Sequence, residues 1–213
     1  MNKYKMVKES GTPFFRIIAL KDFGDVKAGD KGGLIERESN LSQEDDCWVS
    51  NNAKVSGNAK VSGNAAVYDN AAVYDNAEVS GNAKGYDNAL VYGNARVCGT
   101  AVVYDNAVVS GNAKVFDNSK VSGDSRVSGD AWVYDNAKVY GDSRVYGYTQ
   151  VFGDSRVFGN AQVSGDDLVS GDALVSGDAW VSENAVVSGN AKVSGNAQVY
   201  DNAKVSGNSG QPD

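Results

Sequence analysis

From residue 49 to residue 205 the chain repeats one pattern of apolar and polar positions every six residues. Valine opens each unit, from Val49 through Val55 and Val61 to Val205, and Gly85 is the one break among the 27 positions. Four residues after each valine comes a small residue, as at Ala53, Ala59 and Ala65; Ser or Thr149 sometimes replaces alanine, and Asp167 is the charged exception. Between them lies a turn pair: Gly57-Asn58, Asp69-Asn70 or Gly123-Asp124. Gly and Asn tolerate positive φ, so such pairs turn the chain at little steric cost. The valine of a short strand points inward while its two neighbours point outward. A turn pair in every unit is incompatible with a 3.6-residue helical stripe, so the pattern predicts short strands and tight turns throughout. The class is all-β.

Residues 1–48 lack the period. Phe14–Leu20 reads as a strand, Gly24–Gly33 holds turn signals around Val26, and Leu34-Ile35 leads through Leu41 into the first units. These features predict a small β-cap over residues 1–48, where a solenoid would otherwise expose unpaired backbone. The array then occupies 49–209 and a short tail 210–213, with no second cap expected.

An aliphatic residue followed by a small one four positions later, as in Val55-Ser56-Gly57-Asn58-Ala59-Lys60, resembles the hexapeptide-repeat superfamily. Its members include acyltransferases built on a left-handed parallel β-helix. The resemblance covers residues 49 to about 209 and implies left-handed winding, three units per triangular coil and, commonly, trimers. On that geometry 27 units make nine coils, and strands about 4.8 Å apart give a rod of roughly 43 Å. The stretch Gly29–Glu36 resembles the leader of uncharacterised phage and bacterial hexapeptide-repeat proteins.

A coil of eighteen residues sorts the outward positions into three columns. One runs Tyr68, Tyr86, Tyr104, Ser122, Tyr140, Phe158, with Lys84, Lys138 and Arg156 beside three of its rings. A second holds Tyr74 and Tyr92, flanked by Ala72, Leu90 and Val108. The third runs Cys98, Phe116, Tyr134, Phe152, flanked by Arg96, Lys114, Trp132 and Gln150. Stacked rings stabilise a sheet by themselves, at about 0.2–1 kcal/mol per pair. Phe116, Trp132, Tyr134 and Phe152 also make an apolar patch of the kind that marks contacts. Rings beside Arg96 and Lys114 suit a planar anionic ligand as well. The candidate binding residues are therefore Arg96, Lys114, Phe116, Trp132, Tyr134 and Phe152, with Lys84 and Tyr86. Ice binding needs a regular Thr-rich face, which this mixture of side chains does not supply.

Charge narrows the partners. A net charge of −7 and a pI near 4.6 argue against binding a nucleic-acid polymer. No apolar run approaches a membrane span, Arg16 interrupts the one apolar stretch near the start, and no signal peptide is read; the expected compartment is the cytoplasm. The chain has no histidine. That removes the imidazole base of the acyltransferases it resembles and the three-histidine zinc site of the related carbonic anhydrases. With no residue inserted between Val49 and Val205, no loop is available to carry an active site, so no catalytic residue, metal or cofactor is assigned. Asp124 and Asp142, or Asp154 and Asp172, lie one coil apart, but turn chemistry accounts for them without calcium.

Two residues break the repeat's rules. Gly85 should leave a gap in the valine column. Asp167, in an inward slot one coil above Thr149, either bonds to that threonine, with its carboxyl protonated, or sits in a splayed turn. Cys98 should point outward with a pKa lowered by Arg96, and Cys47 inward, so no disulfide is expected.

The reading is a non-catalytic scaffold: a rigid, trimeric β-helix presenting aromatic and cationic surface to a partner or a small anionic ligand between subunits. A specific form is a phage-encoded protein that sequesters a nucleotide-like host molecule. The alternatives are a rod assembling end to end through its C-terminal edge, and an atypical acyltransferase lacking the usual histidine.

Overall fold

A computed structural model describes residues 2–207. The chain is an all-β parallel solenoid of about ten turns, consistent with a left-handed β-helix, and no α-helix occurs among the described residues. Three sheets form its sides. The long sheet has twelve strands; the other two have nine each and are named here the Tyr86 sheet and the Trp132 sheet. Within the repeat each strand pairs in parallel with the one eighteen residues on, as Arg96–Val97 pairs with Lys114–Val115.

The inward column is buried as the sequence requires, with Val55, Val103 and Val145 fully buried and Ala53, Ala95 and Ala137 filling the small slots. Burying each valine is worth about 1.5–3 kcal/mol, so the axis of the rod is its core. Gly85 leaves the expected vacancy, since a Cβ added to it would meet nothing within 4 Å.

The turns divide their labour more finely than the composition suggests. Positive φ falls on the first member of the pair, Gly or Asp, as at Gly111 (φ 68) and Asp75 (φ 62). Aspartate there reaches along the stack: Asp75, Asp105 and Asp135 each accept a bond from the amide of the residue eighteen positions later. The second member, usually Asn, keeps ordinary φ except at Asn184 (φ 67) and builds a side-chain ladder. Asn58 donates to Asn76, Asn76 to Asn94, Asn94 to Asn112 and Asn112 to Asp130, at 3.0–3.1 Å.

The rod has one turn more than the nine expected, because Ile35 and Leu41 enter valine slots before the period begins. Strand β3 (Lys31–Ile35) pairs in parallel with Lys54–Val55, Leu41 bridges to Val61, and β4 (Trp48–Val49) pairs with Ala66–Val67. Gly32 and Gly33 thus lie in a strand rather than in a turn. Strand β2 (Phe15–Ala19) falls within the predicted strand, and it pairs antiparallel with β3 and with β1 (Tyr4–Lys8), which the sequence reading missed.

The start of the rod is closed by polar chemistry. Lys3, 1% exposed, directs its ammonium at the carbonyls of Cys47 (2.9 Å), Glu44 (3.1 Å) and Asp45 (3.3 Å), and at the Cys47 sulfur (3.2 Å). The Tyr4 hydroxyl donates to the Leu41 carbonyl at 2.7 Å, and burial raises its pKa. Trp48 packs edge-on against both Tyr4 and Phe23. The expectation of an uncapped far end and a tail at 210–213 lies outside the described residues.

Candidate functional site

The two residues flanking each inward valine project outward from the same strand, so exact eighteen-residue registry turns sequence spacing into surface columns. On the Trp132 sheet, Phe116 and Tyr134 stack at 5.0 Å and 2°, and Tyr134 and Phe152 at 4.9 Å and 6°. Trp132, on the flanking column, meets the Phe116 ring edge-on at 6.1 Å. The Lys114 ammonium lies 4.4 Å from the centroid of the Trp132 ring. Such a contact contributes about 0.5–1 kcal/mol at an exposed site. Arg96 pairs with Glu78 at 3.1 Å, and the Tyr134 hydroxyl donates to Gln150 at 3.2 Å.

Six of the eight expected binding residues therefore share one face, while Lys84 and Tyr86 lie on another sheet. Tyr86 stacks between Tyr68 (4.8 Å) and Tyr104 (5.2 Å), and burial together with the neighbouring phenols raises its pKa. The Tyr74–Tyr92 stack, at 4.9 Å, belongs to the long sheet.

Trp132 is 39% exposed and has a hollow on each side. One, of about 250 Å³, is lined by Arg96, Cys98, Lys114, Phe116 and Trp132. The other, of about 390 Å³, involves Asn112, Lys114, Asp130, Trp132, Tyr148 and Gln150. Tyr148 was missed by the sequence reading. It occupies a turn slot filled one and two coils earlier by Asp130 and Asn112, and it is 67% exposed. An aromatic residue in a column of turn amides was the available signal.

Cys98 is half-buried beside Arg96. Burial outweighs the guanidinium, so its pKa is raised rather than lowered, and the thiol is not an activated nucleophile. Cys47 is buried and its pKa is raised by burial against the opposing effect of Lys3. Both cysteines are free.

Asp167 does not bond to Thr149. The Thr149 hydroxyl donates back to the Tyr146 carbonyl at 2.8 Å, whereas the Asp167 carboxyl accepts from the amides of Ala185 (2.8 Å) and Ser164 (3.2 Å). Backbone donors of its own turn and of the next coil are nearer than a hydroxyl already committed to its local turn. Burial pushes the Asp167 pKa up to about 6. Among the described residues no group of three or more Cys, Asp or Glu side chains is placed to hold a metal ion, and no helix is long and apolar enough to cross a membrane.

A parallel solenoid with one inward aliphatic residue in six and ring columns on flat sides defines a β-solenoid repeat scaffold, consistent with the hexapeptide-repeat class. The YdcK β-solenoid repeat model matches residues 86–99 and 169–183. Over 34 residues the chain is 56% identical to a protein of Escherichia coli (strain K12) described as an uncharacterized acetyltransferase, YdcK. That match covers 16% of this chain and 10% of the YdcK protein, so the chain spans only a small part of its relative's length.

Proposed function

We propose that the chain is a non-catalytic binding scaffold, in which copies associate as a homo-trimer through the Trp132 sheet and hold a small anionic ligand beside Arg96 and Lys114. The observation that carries this reading is Trp132 itself. It stands partly exposed on a flat strip of stacked rings, fixed by Phe116 and Lys114, with a hollow on either side. A rigid aromatic anchor bordered by apolar area and cations is what a contact surface needs at its centre. The sequence adds that neither histidine nor an inserted loop is present to build a base.

Light scattering after gel filtration tests the reading. Wild type should elute as a trimer at micromolar concentration and Trp132→Ala as a monomer. A wild-type monomer removes the interface, and a Trp132→Ala trimer moves it to another face. Native mass spectrometry of the purified protein should reveal a co-purified anion.

Acyl transfer is the second reading, favoured by the name of the YdcK protein. It requires this chain to act by substrate positioning without an imidazole. A thermal shift with acyl-coenzyme A followed by acceptor-dependent release of free thiol would establish it in place of the scaffold.

A further inference from the structure

The Tyr86 sheet carries an unbroken ring column on both sides of a single gap. Tyr68, Tyr86 and Tyr104 form one stack, and Tyr140 and Phe158 continue it at 4.9 Å. Between the two stacks the position is Ser122, 8% exposed. Its strand pairs in register with those of Tyr104 and Tyr140, so the column is one ring short. Strands about 4.8 Å apart place the two bordering rings roughly 10 Å apart, which admits one further ring at the spacing the column already uses. The notch is a hollow of about 360 Å³ lined by Tyr104, Lys120, Ser122, Lys138, Tyr140 and Arg156.

The flanking column beside this notch is cationic. Lys120 pairs directly with Lys138, and Lys138 with Arg156. Like charges directly opposite on adjacent strands are destabilising. Among the described residues none of the three is in an ion pair, in contrast to Arg96 with Glu78. In a chain of net charge −7, neighbouring carboxylates would relieve this cluster readily, yet its strands carry none at these positions. One carboxylate neutralises a single cation; a phosphate carries nearly two charges and offers three acceptor oxygens.

We propose that this notch binds a phosphorylated planar ring, in class a nucleoside monophosphate. Its ring completes the column between Tyr104 and Tyr140, and its phosphate lies on Lys120, Lys138 and Arg156. Outward positions on one strand are separated by about 6.6 Å, a distance the sugar of a nucleotide spans. The site is on a different face from Trp132 and stands independently of the trimer reading.

Calorimetric titration with adenosine monophosphate tests this directly. Wild type should bind saturably at millimolar concentration or below, with adenosine and inorganic phosphate each weaker by about tenfold or more. Ser122→Tyr supplies the missing ring from the chain itself, so it should keep or raise the melting temperature and weaken binding by at least about tenfold. Lys138→Ala should weaken binding by a similar factor and reduce its salt dependence. Should Ser122→Tyr fail to fold, Lys120→Ala with Lys138→Ala carries the same test. Undiminished affinity in these variants or no saturable heat with wild type would each overturn the proposal.

Discussion

Replacing Gly85 by valine should stabilise the rod, although most core substitutions destabilise. Gly85 lies between Val67 and Val103 in its column, and a Cβ there meets no atom within 4 Å. Its φ lies outside the left-handed region, so a valine fits the existing backbone. Burying the valine side chain contributes about 1.5–3 kcal/mol and restricting the unfolded chain about 0.4–1 kcal/mol. Together these give about 2–4 kcal/mol. Solenoid stability is held between neighbouring turns, so the gain belongs in the flanking coils before it appears globally. Hydrogen exchange reads it best, at the Tyr68 amide, which donates to Gly85, and at the Tyr86 amide, which donates to Val103. Their protection should rise by at least about tenfold, with a higher urea midpoint. Gly111→Ala is the opposing control: with φ at 68 and its added Cβ 2.9 Å from the Gly129 amide nitrogen, it should destabilise. An unchanged or lowered midpoint for Gly85→Val would refute the vacancy, because it would mean that the coil had already closed over the missing side chain.

Other outcomes follow from buried polar groups and from the ladder. Folding raises the Asp167 pKa to about 6 from 3.8, so the stability it confers is full below about pH 4 and is lost as pH rises through about 6. That loss is on the order of 2–3 kcal/mol, and Asp167→Asn should flatten the denaturation midpoint across this window; parallel pH profiles for the two proteins would count against it. Lys3→Met leaves the buried Cys47 carbonyl and the partly buried Glu44 and Asp45 carbonyls without this donor and should cost about 3 kcal/mol locally. Limited proteolysis should then release the N-terminal strands while the hexads persist, and an unaltered digestion pattern would argue otherwise. Asn94→Ala cuts both of its ladder bonds and should cost about 1 kcal/mol by urea denaturation, with no change in oligomeric state.

The solenoid was legible because Val, the small residue and the turn pair recur at a fixed spacing, and the eighteen-residue registry followed once the resemblance supplied three units per coil. The same arithmetic placed Phe116, Tyr134 and Phe152 in one stack. It did not reveal that Arg96 is paired with Glu78, because registry sets the two residues on adjacent strands without fixing which way their long side chains turn. Tyr4–Lys8 carries only a weak alternation and escaped, since its burial depends on Lys3 and Tyr4 finding carbonyls some forty residues away. Asp167 was recognised as anomalous, but proximity to Thr149 was a poor guide: inside a coil, backbone amides compete for a carboxylate and are nearer. Valine slots occupied by Ile35 and Leu41 fell outside the period, which is why the extra turn was not counted.

The eighteen-residue registry also determines how this chain tolerates changes in length. Removing a whole coil shortens the rod and leaves every column on its side. Removing a single hexad, 105–110, takes out Val109 and one turn and leaves every other turn and inward valine in its place, yet rotates all that follows by one side of the triangle. Phe116, Tyr134 and Phe152 would then continue the Tyr74–Tyr92 stack, joining the rings of two faces into one uninterrupted line of five. Surface identity in this molecule therefore behaves like a reading frame, conserved by insertions in multiples of three units and rewritten by any other.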